Sequence, residues 1–80
     1  MGNALYRLGK ADKAIGHYLQ AIRIDPEYAE AYNNIGAALI RVGKIKKAVV
    51  FFKEALRIDP GYIDAQKNLE NTLAALRKIQ

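Results

Sequence analysis

A displacement of 34 positions lays most of this chain on itself. Arg23-Ile24-Asp25-Pro26 returns as Arg57-Ile58-Asp59-Pro60, and residues 1–28 set against 35–62 agree at 14 of 28 positions. Most remaining pairs exchange like for like: Leu8 with Val42, Ile15 with Val49, Tyr18 with Phe52, Ile22 with Leu56. A period of this size means stacked supersecondary units, none of which can bury its apolar face alone. It restricts the chain to a repeat architecture.

Inside each unit the apolar period is helical. Ala14, Tyr18, Ala21 and Ile22 fall at i, i+4, i+7 and i+8, and Ala48, Phe52, Ala55 and Leu56 repeat the pattern. Ile35, Leu39 and Val42 continue it on the segment before. Gly9-Lys10 and Gly43-Lys44 interrupt the period, as a turn after a helix C-terminus would. Asp25-Pro26 and Asp59-Pro60 close each unit, and each Asp is expected to cap the helix that follows. The spacing predicts an all-α chain of five helices, over residues 2–8, 11–24, 27–41, 45–58 and 61–78. No stretch alternates with period two.

These residues resemble the tetratricopeptide repeat, a 34-residue helix–turn–helix unit. The central unit supplies Tyr32, Ile35-Gly36, Ala48, Phe52, Ala55 and Pro60 at the signature positions, with Leu39 where Tyr is usual. The first unit supplies Met1-Gly2, Leu5, Ala14, Tyr18, Ala21 and Pro26. The resemblance implies a right-handed solenoid of antiparallel helix pairs. Residues 1–80 then form one domain: a truncated first repeat over 1–28, a complete repeat over 29–62 and a C-terminal capping helix over 63–80. Independently of the family, Gly2, Gly36, Ala14, Ala21, Ala48 and Ala55 are small where helices must approach to about 8–10 Å. Tyr18, Tyr32 and Phe52 are expected to fill the space between repeats.

The pattern loosens at both ends. A helix over 2–8 is too short to stand alone, so part of the apolar face of 11–24 is expected to be undercovered. In the last helix Gln66, Glu70, Asn71 and Thr72 replace Tyr32, Gly36, Ala37 and Ala38. Polar residues there suit a helix that ends a stack. Val50 and Phe51 match Gly16 and His17 and are expected to face outward.

Composition excludes most chemistry. The chain has no cysteine, one histidine (His17), no serine and a single threonine (Thr72). Disulfides, thiolate sites, multi-histidine metal sites and a Ser–His–acid triad are therefore out. The six glycines are scattered and form no phosphate loop. No catalytic residue, metal or cofactor is expected, and the chain reads as a non-enzyme. No apolar run reaches the roughly 18–20 residues of a membrane span, and Met1–Lys10 lacks the order of a signal peptide. A cytoplasmic protein without membrane contact is the default expectation.

The formal net charge is +5. Lys10, Lys13, Lys44, Lys47 and Lys78 recur with the repeat and are expected to form a basic edge. Asp25, Glu27 and Glu30, with Asp59 and Asp64, stand opposite. The helix dipole accounts for much of this placement. Nucleic acid is a disfavoured partner for the basic edge, because few aromatics interleave with it.

The resemblance implies that the first helix of each pair lines a concave face that receives a peptide or a partner helix. Carried onto this sequence, that face comprises Asn3, Tyr6, Arg7, Glu30, Asn33, Asn34, Ala37, Ile40, Arg41, Lys67 and Asn71. Amides there can pair with a peptide main chain, and arginines with carboxylates. The clamp by which many members hold a C-terminal carboxylate is not implied, because Asp64 and Asn68 stand at two of its cationic positions. The expected function is protein–protein interaction, with a peptide or protein segment, acidic ones included, as partner. The alternative is a repeat fragment, excised or engineered, that self-assembles through an open N-terminal end.

Overall fold

The computed structural model describes the backbone of residues 2–79 and the side chains of residues 10–78. Four helices follow one another: α1 (Gly2–Ile24), α2 (Ala29–Arg41), α3 (Ile45–Ile58) and α4 (Ile63–Ile79). α2 packs on α1 and α3; α4 packs on α3 and touches α2. The result is an all-α helical repeat, 38 × 33 × 16 Å across.

The core lies between α2 and α3. Ile35, Leu39, Ala48 and Phe52 form its centre, and Ile15, Tyr18, Ile22, Val42, Phe51 and Leu69 pack around it. Phe52 and Ala48 are fully buried, and α2 reaches them because Gly36 has no side chain. A Cβ on Gly36 would stand 2.5 Å from Phe52 Cε1. Phe51 differs from the outward position expected. Its ring packs on Tyr32 at 6.1 Å between centroids and borders the core. Val50 does face solvent.

Two kinds of turn join the helices. Between α2 and α3 the chain reverses through Val42-Gly43-Lys44. Lys44 N–H donates to Leu39 O (2.8 Å) and Gly43 N–H to Ile40 O (3.1 Å), with Gly43 at φ 83°. This is the Schellman arrangement, and its left-handed residue favours glycine. Between repeats, Asp59 Oδ1 accepts from Gly61 N–H and Asp25 Oδ1 from Glu27 N–H, both at 3.2 Å. Tyr62 N–H and Tyr28 N–H donate back to the same two aspartates' carbonyls. The aspartates thus close the turn after one helix and do not cap the next. α2 starts only at Ala29, and Tyr28 before it gives no side-chain cap. Tyr32 Oη donates to Pro26 O (3.3 Å) and pins this turn. Arg57 spans it, paired with Glu54 at 2.6 Å and Glu27 at 3.8 Å. Those carboxylates raise its already high pKa.

A third expectation is overturned. The turn at Gly9-Lys10 does not form, and the helices expected over 2–8 and 11–24 are one helix of 23 residues. Turning would exchange helical hydrogen bonds for the burial of only about two helical turns, and so short a segment gains little. The same Leu/Val-Gly-Lys signal does turn at Gly43, where α2 has Ile35 and Leu39 to bury against Ala48 and Phe52.

Candidate functional site

Because α1 is uninterrupted, no helix among the described residues covers the inner faces of Ala14 and Tyr18 as α2 covers Ala48 and Phe52. A cleft of about 340 Å³ opens there, lined by Lys10, Ala11, Ala14 and Tyr18 from α1 and Asn34, Ala37, Ala38 and Arg41 from α2. Its floor is small and apolar, with Ala11 and Ala38 buried and Tyr18 half-buried. Its rim carries two cations and an amide. Among the described residues, Asn34 makes no side-chain hydrogen bond and Arg41 no ion pair. Arg41 sits in the last turn of α2, where a cation also complements the helix dipole.

The residues assigned from sequence to the concave face divide into four groups. Asn34, Ala37 and Arg41 come together at the cleft, and Lys10 of the basic edge joins them. Glu30, Ile40, Lys67 and Asn71 are exposed but do not line it. The side chains of Asn3, Tyr6 and Arg7 lie outside the described residues. Asn33 is only 7% exposed and turns between helices. Its Oδ1 accepts from Asn68 Nδ2 (3.0 Å) and its Nδ2 donates to Tyr62 Oη (3.5 Å). Asn33 is therefore a tie between α2 and α4, not an open contact. Burial of Tyr62, then the nearby Glu30 carboxylate, pushes its phenol pKa up.

Sequence reasoning placed Ala11, Ala14, Tyr18 and Ala38 outside the site. The signal was the undercovered face of 11–24, but the uninterrupted run of α1 was needed to make it a cleft. On the basic edge, Lys13 and Lys78 are exposed. Lys44 and Lys47 border a second hollow, of about 230 Å³, between α1, α2 and α3. Thr72 does not present a polar face to solvent. It is 3% exposed, and its Oγ1 donates to Asn68 O (2.6 Å). Among the described residues no cluster of three His, Asp or Glu could hold a metal ion, and no helix is long and apolar enough to cross a membrane.

A TPR repeat family model matches residues 2–43, and a tetratricopeptide repeat model matches residues 29–62. The chain belongs to the tetratricopeptide repeat family. No curated protein matches it significantly. Tetratricopeptide repeats generally mediate protein–protein interaction and typically serve as non-catalytic scaffolds, with protein or peptide partners. In this tetratricopeptide chain the two matches overlap over α2, the helix that carries Asn34 and Arg41.

Proposed function

We propose that the chain is an interaction module that takes a peptide or protein segment, acidic in character, along its concave face, with the α1–α2 cleft as the anchoring point. The observation that carries this is the pairing of an apolar floor with two solvated rim groups that have no partner among the described residues, Asn34 and Arg41. A ligand carboxylate gains a forked pair of hydrogen bonds from Arg41, and Asn34 reads a main-chain amide. α4, with Gln66, Glu70 and Asn71 exposed, ends the stack in this reading. A cleft of this size supports micromolar or weaker binding.

The test is a display screen for short peptides followed by fluorescence anisotropy. Acidic sequences are expected to dominate. Arg41→Ala should weaken them about tenfold or more, and Asn34→Ala should weaken them less. Helicity should stay intact in both. Asn33→Ala is unsuitable because it breaks the α2–α4 tie. Peptides that bind equally well to Arg41→Ala would defeat the assignment.

A further inference from the structure

The 34-residue repeat shows what belongs in the cleft. Ala14, Tyr18, Asn34 and Ala38 correspond to Ala48, Phe52, Asn68 and Thr72. In the second repeat three of these are met by α2: Ala48 and Phe52 are fully covered, Gly36 lies flat on Phe52, and Asn68 bonds to Asn33, while Thr72 is buried with its hydroxyl bonded within α4. The cleft is the matching seat with no such helix in it.

The chain carries a segment written for that seat. Gly2–Gly9 matches Gly36–Gly43 at five of eight positions: Gly2, Ala4, Leu5, Arg7 and Gly9. Gly2 stands to Tyr18 as Gly36 stands to Phe52. Since α1 is one uninterrupted helix, this segment does not fold back onto its own residues 11–24.

We infer that a second copy of the chain supplies the missing helix: two α1 helices pair antiparallel, each placing its Gly2–Gly9 in the α1–α2 cleft of the other. The exchange is two-fold and closed. Gly36 on Phe52 translates, by the repeat, into Gly2 of one copy on Tyr18 of the second. By the same register the axis passes close to position 10 of both copies. The swap reproduces an interface already seen between α2 and α3, and needs no new turn. It rests on reading the cleft as a binding site; its occupant, Gly2–Gly9, carries Arg7 and no carboxylate, and would compete with an acidic segment for the same cleft.

Light scattering from low micromolar to millimolar concentration tests it. A dimer is expected to form as concentration rises. An acidic peptide in the cleft, by contrast, should bind more weakly as salt rises. Gly2→Leu, which fills the position that must lie flat on Tyr18, should return the monomer with circular dichroism unchanged. Gly9→Ala, compatible with an uninterrupted helix, should leave the dimer intact. A monomer at millimolar concentration overturns the proposal, as does a dimer indifferent to Gly2→Leu or lost in Gly9→Ala. A monomer that still loses acidic peptides on Arg41→Ala would sink the exchange while keeping the cleft as a site. If that monomer's peptides ignore Arg41→Ala, the cleft assignment falls as well.

Discussion

Three glycines separate what a residue does locally from what its neighbours demand. Gly16 lies inside α1, exposed, with nothing within 4 Å of where a Cβ would be. Gly16→Ala should therefore stabilise the protein by about 0.5–1 kcal/mol, the helix-propensity difference. Gly36 is also helical and has the same intrinsic preference, but Phe52 blocks it. Gly36→Ala should destabilise by about 1–3 kcal/mol as the helices are forced apart. Gly43→Ala should cost about 1–2 kcal/mol, because its positive φ strains any Cβ. Urea unfolding of the three variants gives the signs. If all three shift the midpoint in one direction, the distinction made here is wrong. Tyr62 offers a titration at the same scale. Its phenol pKa is raised above the ordinary value of 10.0 in the fold, first by burial and then by Glu30. The folded state therefore holds that proton more tightly than the unfolded one. The stability it contributes is full below pH 10 and is lost as pH rises through the folded pKa. Difference phenolate spectra of wild type against Tyr62→Phe should show one late-titrating tyrosine. A loss of stability setting in below pH 10 and abolished by Tyr62→Phe would contradict the assignment.

At the scale of the element, α3 is the keystone. It packs against both α2 and α4, and among the described residues it carries the one fully buried aromatic, with Ala48, Phe52 and Ala55 closed to solvent. Phe52→Ala should cost about 3–5 kcal/mol, a large part of what a domain of 80 residues can hold. Tyr18→Ala removes the counterpart ring on α1, which is only half-buried, and should cost clearly less. Thermal melts of the two variants compare them; equal losses would mean that Tyr18 is as enclosed as Phe52. The tie between α2 and α4 is polar. Asn33→Ala and Asn68→Ala should each destabilise by about 1–3 kcal/mol, and the double variant by less than the sum. Strict additivity would show that the Asn33–Asn68 hydrogen bond carries no coupling.

At the scale of the molecule, the helix count and the open cleft are one fact. A chain that turned at Gly9 would have five helices and a filled seat. The uninterrupted α1 yields four helices and an apolar floor beside Asn34 and Arg41. An apolar floor with a cationic rim attracts acidic segments, and the net charge of +5 adds to the encounter rate. Raising salt should therefore weaken any acidic peptide ligand, chiefly through slower association. Stopped-flow binding at two ionic strengths would reveal it, and an unchanged rate would point to recognition without Arg41.

The sequence by itself determined the repeat, the all-α class, the three inter-helix boundaries that carry Asp25, Gly43, Asp59 and their neighbours, and the need for a small residue at Gly36 and a large one at Phe52. These follow from local chemistry: the period of apolar residues, one left-handed glycine, and two Asp-Pro turns. Only the tertiary structure decided the rest. Leu8-Gly9-Lys10 and Val42-Gly43-Lys44 carry the same signal, yet one stays helical and the other turns. Adjacent asparagines likewise part company, Asn33 to an interhelical bond and Asn34 to the cleft. In both cases the deciding free energy is non-local. A turn forms where folding back buries enough apolar surface to outweigh lost helical hydrogen bonds. An amide is drawn inward where a neighbouring helix offers it a partner. Neither quantity exists until the helices are packed.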